Sequence, residues 1–352
     1  MRTRVVVCYT GGVGSQAVRL LAADPGFEVV GVLEHDPAKE GRDAGELVGI
    51  APLGVSATRD VSALVDLRAD CALWHGSGWE PETIARFLAA GTNVYSSIGG
   101  WFLPGSPDHD VIASACRDGD ASFVAGGNIP GLISDVLPLF VSGYSGAVRR
   151  IEAWQSDFVP HYPSALQLEH GLGIGAQLDP DAPFPTPVDE LWLWGIRQSA
   201  AIVAAGLGVE LTDVQLTDKQ YAMSPEDMEL APSGLKVRAG TPAGVRWTYT
   251  AFTGEVPFFR LVNEQTVRLG LGEGWRQSRD EPNWRVRVVG TPTVTCTVDL
   301  PHGDGEGEPV SELNAARAVN CIPRLIAAPA GWHTLLDLPA PRAATLALGA
   351  QS

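Results

Sequence analysis

The chain opens with apolar runs separated by turns. A β-branched run over Arg4–Tyr9 predicts a buried strand, and the glycine-rich turn Thr10–Gly14 follows it. Apolar residues at helical spacing then predict an amphipathic helix that ends at the breaker Asp24–Gly26. The run Phe27–Leu33 predicts a second strand. Together these segments form a strand–turn–helix–strand unit of about 33 residues, the length of a βαβ unit.

The same alternation continues to about residue 145. Short apolar runs predict strands over Asp70–Ser77, Asn93–Ser97 and Ala121–Ala125, and a helix is predicted over Pro81–Ala90. An apolar helix over Leu132–Val141 is expected to close this first domain. Strands that alternate with helices indicate a parallel sheet covered by helices on both faces.

After Gly146 the period of the pattern changes. Arg149–Phe158 predicts a strand, Pro160–Pro187 an irregular cover, and Asp189–Gly206 an apolar helix. The residues of three further stretches alternate with a period of two, which is typical of an antiparallel sheet with one solvated face. These stretches are Leu235–Phe252, Val256–Gly270 and Trp284–Leu300. We therefore predict an α/β domain over residues 1–145, an α+β substrate and dimerisation domain over 146–305, and a helix within 306–340 that returns to the first domain.

Composition excludes several classes of function. The 352 residues carry 25 basic and 41 acidic side chains, a net charge of −16, which disfavours nucleic acid or an anionic membrane as a partner. No apolar run approaches the roughly 18 residues of a membrane span. The five cysteines are dispersed, as in cytoplasmic proteins with reduced thiols, so we expect a cytoplasmic protein without a cysteine-bound metal.

The first turn indicates dinucleotide binding. In the pattern G-x-G-x-x-G the first glycine falls at Tyr9, and the other two are Gly11 and Gly14. Glycines there allow the backbone to approach a pyrophosphate at the start of a helix. The predicted cofactor-binding residues in this turn are Thr10, Gly11, Gly12, Val13 and Gly14.

An acidic residue follows this turn at the expected distance. Glu34 or Asp36, about 20 residues on, would accept hydrogen bonds from a ribose and repel a 2′-phosphate. His35, Lys39 and Arg42 lie in the same loop and are able to bind such a phosphate. We expect NAD, with NADP as the open alternative. A further cofactor loop is predicted at His75, Gly76 and Ser77.

Several segments resemble a known group, the 2,4-diaminopentanoate dehydrogenases and native amine dehydrogenases, which are relatives of dihydrodipicolinate reductase. The loop from His35 to Leu47 and the helix segment Arg317–Pro323 carry most of the resemblance. Gly127–Asp135 and Leu172–Gly175 are similar in a weaker way. The resemblance implies a Rossmann domain, an α+β substrate domain, a homodimer and NAD(P)H. It also implies hydride transfer to an imine carbon, and it places Asn128 near the nicotinamide.

The chain departs from this family at a catalytic position. The family uses a glutamate, after the strand that begins here at Asn93, to handle ammonia, whereas Tyr95–Trp101 contains no carboxylate. We predict instead that Tyr95, Glu169 or His170 donates the proton. Packing of Tyr95 and a surface position of His170 remain the structural alternatives. Three tryptophans, Trp101, Trp154 and Trp192, are predicted to form an apolar wall around the substrate.

Three functions remain open on the sequence. The first is reductive amination of a small, largely apolar ketone, and the second is reduction of a preformed imine or ketone without ammonia. The third is a non-catalytic sensor that binds a dinucleotide, since both the first glycine and the family glutamate are replaced.

Overall fold

The computed structural model describes residues 2–76, 78–179, 184–300 and 309–343. The chain forms two compact units, one of Met1–Gly131 with Val310–Ser352 and one of Leu132–Pro309. No helix within the described ranges is long and apolar enough to cross a membrane. Ser77 of the predicted cofactor loop, and the segment 301–308 around the predicted domain border, lie outside the described residues.

The first unit contains a seven-stranded sheet whose paired strands are all parallel. Its strands are β1 (Thr3–Cys8), β2 (Phe27–Leu33), β3 (Ala57–Thr58), β4 (Cys71–Trp74), β5 (Asn93–Ser96), β6 (Ser122–Ala125) and β15 (Gly331–His333). Its helices are α1 (Gly12–Ala23), α2 (Ala44–Leu47), α3 (Val61–Val65), α4 (Pro81–Ala89), α5 (His109–Gly119) and α8 (Val310–Ile326). The strand order is β15-β6-β5-β4-β1-β2-β3. Without β15 this is the 3-2-1-4-5-6 order of the Rossmann fold, so the predicted α/β class is confirmed.

The second unit contains a six-stranded sheet, and its order is β14-β13-β7-β12-β11-β8. Its strands are β7 (Val148–Phe158), β8 (Asp213–Met223), β11 (Pro242–Thr253), β12 (Val256–Thr266), β13 (Trp284–Gly290) and β14 (Val294–Val298). A separate hairpin pairs β9 (Met228–Glu229) with β10 (Lys236–Val237). The helices are α6 (Leu137–Ser142) and α7 (Pro187–Leu207); a π-helical turn spans Gln167–Gly171, and the segment Asn128–Val136 leads into α6.

The second sheet is mixed, because β7 and β12 are parallel while its other pairs are antiparallel. A parallel pair requires a long crossover, and α7, β8 and β11 lie between these two strands in sequence. The stretch predicted over Trp284–Leu300 is in fact the hairpin of β13 and β14. The solvated face predicted for β11 is also wrong, since nearly all of that strand is buried.

The helix predicted at Leu132–Val141 lies in the second unit and not at the end of the first. Ile129, Pro130 and Gly131 have non-helical backbone angles, so the helical conformation starts after Gly131. Within the second unit, α6 packs against β7 and β13. The first compact unit therefore ends earlier than the residue 145 that the sequence pattern suggested.

Candidate functional site

The glycine turn connects β1 to α1 through a left-handed residue. Tyr9 occupies the first glycine position of the motif and has φ +72°, a conformation that glycine adopts most easily. Its ring packs at 5.3 Å from Trp74 and 5.4 Å from His35, measured between ring centroids. Tyr9 thus packs against two other rings while its backbone has the left-handed conformation that the motif normally assigns to glycine.

The other two motif glycines meet different surroundings. A Cβ on Gly14 would lie 1.9 Å from the carbonyl oxygen of Tyr9, so only glycine lets the helix approach the strand this closely. A Cβ on Gly11 would have no atom of the chain within 4 Å. Gly11 is also the N-cap of α1, and no side chain caps that helix. The start of α1 therefore combines uncapped backbone N–H groups with open space, as a pyrophosphate site requires.

Glu34 directly follows β2 and lies against the turn. Its side chain is 2% exposed, and one carboxylate oxygen accepts hydrogen bonds from the backbone N–H of Thr10 at 2.7 Å and from the Thr10 hydroxyl. The Lys39 ammonium lies 3.2 Å from the same oxygen. The other oxygen, Oε2, is buried and has no hydrogen-bond partner among the described residues. A buried carboxylate oxygen without a donor fits a ribose hydroxyl.

The remaining polar residues of this loop are placed differently. Asp36 accepts a hydrogen bond from the backbone N–H of Ala38, within its own turn. Lys39 also donates to the Thr10 hydroxyl at 3.0 Å, so its charge is directed at the glycine turn. His35 and Arg42 are exposed. Of the two candidate acids, Glu34 is therefore the one that lies at the turn.

His75 follows β4 at the carboxyl edge of the sheet. Its Nδ1 lies 2.8 Å from the Ser97 hydroxyl, while its Nε2 is buried without a partner among the described residues. Burial lowers the pKa of His75 to about 4, so the ring is neutral at physiological pH. A Cβ on Gly76 would lie 2.9 Å from the ring of Tyr9, which explains the small residue after the histidine. The neutral ring thus presents a free nitrogen beside the glycine turn.

Asn128 follows β6 at the same edge. Its Oδ1 accepts a hydrogen bond from Asn314 Nδ2 of α8 at 3.2 Å. Gln16 of α1 donates to Glu312 of α8 at 2.7 Å, so the two helices begin side by side. The groups at the ends of β1, β2, β4 and β6 together fit a dinucleotide laid across the carboxyl edge of the sheet.

Two predicted site residues of the first unit are part of its core. Tyr95 in β5 is fully buried, and its hydroxyl lies 3.2 Å from the position of a Cβ on Gly126. Trp101 is 5% exposed, in a segment where Gly99 and Gly100 both have φ +74°. The burial of Tyr95 is what its packing alternative predicts, and its role as a proton donor stays a prediction.

One face of the second sheet carries buried polar side chains in register. Aligned residues of five strands form a cross-strand row: Lys219, Trp247, Asn263, Gln155 and Trp284. Asp157, beside this row, accepts hydrogen bonds from Trp284 Nε1 and Gln265 Nε2, each at 2.8 Å. Burial raises the pKa of Asp157, although these hydrogen bonds oppose the shift. Gln155 Oε1 and the Tyr249 hydroxyl are buried with no partner among the described residues.

At one end of the row, a buried ion pair joins Lys219 to the first turn of α7. Asp189 Oδ1 lies 2.8 Å from Lys219 Nζ and 2.8 Å from Trp247 Nε1. Its Oδ2 accepts hydrogen bonds from the N-cap residue Thr186. Burial raises the pKa of Asp189, but the bonds from Lys219 and Thr186 outweigh it and hold that pKa below its usual value. Burial likewise lowers the pKa of Lys219, and its bonds to Asp189 and Tyr221 raise it above the usual value.

Aromatic rings surround this ion pair. The Lys219 ammonium lies 5.2 Å from the ring centroid of Tyr221 and 5.7 Å from that of Trp247. Trp192, which is 37% exposed, lies 6.2 Å from Trp247 between ring centroids. We call Trp192, Trp247, Tyr221 and Lys219 the aromatic cluster. The sequence pattern predicts a site role only for Trp192, because the others lie on β8, which the pattern does not predict, and on β11, whose alternation is that of any sheet strand.

The predicted proton donors of the second unit lie next to this cluster. Glu169 and His170 belong to the π-helical turn Gln167–Gly171. The Trp192 indole N–H donates to the carbonyl oxygen of Gly171 at 3.5 Å. Glu169 is partly buried and His170 is exposed. The structure therefore brings these two side chains and Trp192 into one region of the second unit.

Trp154 lies on the opposite face of the same sheet, so the predicted wall of three tryptophans is wrong in this respect. Its ring is 5.2 Å from the guanidinium of Arg246 and 5.8 Å from that of Arg285. It lines a groove of about 460 Å³ with Arg260, Arg285 and Arg287. Successive strand residues point to opposite faces, and Trp154 is out of step with the cross-strand row by one position.

Known proteins share both parts of this architecture. The profile of the dihydrodipicolinate reductase N-terminus matches residues 3–73. An amine dehydrogenase from Streptomyces virginiae is 28% identical over 354 aligned positions, which cover 95% of each chain. The 2,4-diaminopentanoate dehydrogenase of Acetoanaerobium sticklandii is 24% identical and covers 97% of this chain and 95% of its own.

Solved structures show the same fold. The amine dehydrogenase of Mycobacterium smegmatis aligns over 98% of both chains with a TM-score of 0.77 and 19% identity. A scyllo-inositol dehydrogenase from Lactobacillus casei, solved with NAD(H), aligns with a TM-score of 0.52 and 14% identity over 93% of this chain and 90% of its own. The profile of the 2,4-diaminopentanoate dehydrogenase C-terminal domain matches residues 132–350, more than half of the chain. The predicted resemblance is thereby confirmed, and the protein belongs to the family of the 2,4-diaminopentanoate dehydrogenase C-terminal domain.

Proposed function

We propose that this protein, an NAD(P)-dependent oxidoreductase by its family, transfers hydride between a nicotinamide cofactor and the imine or carbonyl carbon of a small, largely apolar substrate. The observation that carries the proposal is the edge of the first sheet. There an open glycine turn lies beside two buried polar atoms, Glu34 Oε2 and His75 Nε2, for which the described part of the chain offers no hydrogen-bond partner. The amine dehydrogenase and diaminopentanoate dehydrogenase relatives support the same reaction class.

The first unit would hold the cofactor through groups that already have the required chemistry. The N–H groups at Gly12–Gly14 would bind the pyrophosphate, as uncapped helix starts do. Glu34 Oε2 would accept a hydrogen bond from a ribose hydroxyl, and the neutral His75 ring would bind through Nε2. We also propose, on the family resemblance, that Asn128 lies near the nicotinamide.

The position of Glu34 also leads us to propose NAD as the cofactor. The Glu34 carboxylate would repel a 2′-phosphate, and Lys39 is occupied by Thr10 and Glu34. We expect the wild type to bind NADH at least about 10-fold more tightly than NADPH, and Glu34→Gln to reduce that ratio several-fold. Fluorescence titration measures both dissociation constants. Asp36→Asn is the matched control and should leave the ratio unchanged; a wild type that prefers NADPH would contradict the assignment.

In the second unit, we propose that the aromatic cluster binds the substrate. The exposed ring of Trp192, backed by the buried Trp247, offers apolar surface, and the adjacent turn supplies Glu169 and His170 as candidate proton donors. Loss of a proton donor slows catalysis by about 10²- to 10⁴-fold. We expect Glu169→Gln or His170→Asn to lower kcat in this range without changing the NADH dissociation constant; if neither variant is slower, the donor lies elsewhere.

The assay that tests the function follows NADH absorbance with a panel of ketones and aldehydes, with and without ammonia, and NAD⁺ reduction with amines. Oxidation that depends on ammonia supports reductive amination, while oxidation without ammonia supports the imine or ketone reductase. Binding of NADH without turnover of any compound favours the non-catalytic sensor. The absence of the family glutamate from Tyr95–Trp101 also supports this alternative. Failure to bind NADH and NADPH at millimolar concentration would overturn the proposal as a whole.

We further propose a homodimer, as the family resemblance implies. The sheet face that carries Trp154 is the candidate interface, because Trp154 lines a groove there together with Glu152 and the exposed Arg260, Arg285 and Arg287. A two-fold dimer would bring the same face of both copies together, so these arginines would need carboxylates of that face, such as Glu152, as partners. Light scattering during gel filtration measures the mass, and a monomer at micromolar concentration would contradict the proposal.

A further inference from the structure

The C-terminal helix α8 starts at the carboxyl edge of the first sheet, far in sequence from the strands β1–β6. Ser311, in its first turn, has its hydroxyl 2.9 Å from the position of a Cβ on Gly12. One turn later, Asn314 donates to Asn128 Oδ1. The first turns of α8 therefore connect the glycine turn after β1 with the segment after β6.

Only one of the two polar atoms of the Asn314 amide has a hydrogen-bond partner among the described residues. Its Nδ2 donates to Asn128, whereas its Oδ1 is buried and has no hydrogen-bond partner among the described residues. Turning the amide over exchanges the two atoms but still leaves one of them without a partner. A buried amide atom without a partner costs stability, so this oxygen calls for a donor from outside the described residues.

The backbone of Gly127, directly before Asn128, lies against the same oxygen. A Cβ on Gly127 would lie 3.4 Å from Asn314 Oδ1, so any side chain at position 127 would stand against this oxygen. Within the first unit, α8 packs against α1 and against β4, β5 and β6. Asn314 thus lies over the half of the sheet formed by β4–β6, whereas Glu34 belongs to the half formed by β1–β3.

We infer that Asn314 is a positioning residue for the nicotinamide half of the cofactor, with its amide hydrogen-bonded to a carboxamide group. In a sheet with the order 3-2-1-4-5-6, each half binds one mononucleotide of the dinucleotide. Glu34 marks the adenosine half, so Asn314 and Asn128 serve the other half. A primary carboxamide donates and accepts hydrogen bonds in one plane, as an asparagine amide does. The inference rests on the proposed cofactor binding and extends it to a helix about 300 residues beyond the glycine turn.

The test compares two ligands on the full-length protein by titration calorimetry. Asn314→Ala is expected to weaken NADH binding about 10-fold and ADP-ribose binding less than about 2-fold, because ADP-ribose lacks the nicotinamide. Asn320→Ala, a matched change further along α8, should leave both constants unchanged. Equal weakening of both ligands, or no change for NADH, would overturn the inference. A wild type that binds neither ligand would instead reject the proposed function.

A second variant separates this role from a loss of folding. Asn314→Asp keeps the shape and the acceptor but adds a negative charge beside the nicotinamide, which is positively charged only in NAD⁺. We expect the ratio of the NADH to the NAD⁺ dissociation constant to increase about 5-fold. A folded Asn314→Asp protein, shown by an unchanged circular dichroism spectrum, with the wild-type ratio would contradict the inference.

Discussion

Replacing Asp189 by alanine is expected to destabilise the second unit by about 3–5 kcal/mol, the usual cost of breaking a buried ion pair. The Lys219 side chain is only 12% exposed and would be left as an unpaired cation beneath aromatic rings. The indole N–H of Trp247 would lose its acceptor, and Thr186 would lose its partner in the capping box of α7. Differential scanning calorimetry measures the loss as a lower transition temperature.

Glu190 provides the control for this variant. It is the next residue of the same helix turn, and its ion pair with Arg197, at 3.3 Å, is about half exposed on both sides. Exposed pairs contribute about 0–1 kcal/mol, so Glu190→Ala should leave the transition nearly unchanged. If Asp189→Ala and Glu190→Ala have equal effects, the buried pair does not stabilise the unit as its geometry suggests.

The same pair predicts the pH dependence of the difference between wild type and Asp189→Ala. The pKa of Asp189 is lowered in the folded state, so its contribution is present above the unfolded value of about 3.9 and is lost as the pH falls through the folded pKa. The pKa of Lys219 is raised, so its contribution is present below about 10.4 and is lost as the pH rises through the folded pKa. Transition temperatures should therefore differ by a constant amount between about pH 5 and pH 10 and converge outside that window.

The second large effect concerns the motif glycines, and Gly11→Ala should separate cofactor binding from stability. The backbone of Gly11, at φ −75°, suits alanine, and the new Cβ would meet no atom of the chain within 4 Å. The unfolding free energy should change by less than about 1 kcal/mol. NADH affinity should fall about 100-fold, because the methyl group fills the space that a pyrophosphate needs. Unchanged affinity would show that the cofactor does not approach this turn.

Gly14→Ala is the companion change and should affect both properties. Its Cβ would lie 1.9 Å from the Tyr9 carbonyl oxygen, so α1 must move away from β1. Overpacking of this kind costs about 1–3 kcal/mol or more. We therefore expect lower stability in the absence of cofactor as well as weaker NADH binding, both measurable on the same samples as Gly11→Ala. A variant with wild-type stability would contradict the close packing of α1 on β1.

The sequence pattern located the elements of the first unit well and those of the second less well. The strand Phe27–Leu33 has the predicted bounds, because a buried parallel strand is apolar on both faces. The strand β8, Asp213–Met223, was missed because most of its residues are polar or exposed at the edge of the sheet. The sequence pattern also could not predict that β7 pairs with β12. Alternation indicates which face of a strand is buried but not which strand is its neighbour.

The candidate site divides in the same way. Periodicity and glycine spacing alone predicted the turn at Thr10–Gly14 and an acid at Glu34 or Asp36, because these features are local in the chain. The contact of Glu34 with Thr10 then distinguished the two acids. Only the tertiary structure brought Asp189 to Lys219 and Trp247, placed Trp154 on the opposite face from Trp192, and aligned Asn314 with Asn128. Such contacts join residues that are distant in sequence, and they depend on strand register and helix packing. A single sequence determines these long-range arrangements only through the energy of the whole fold.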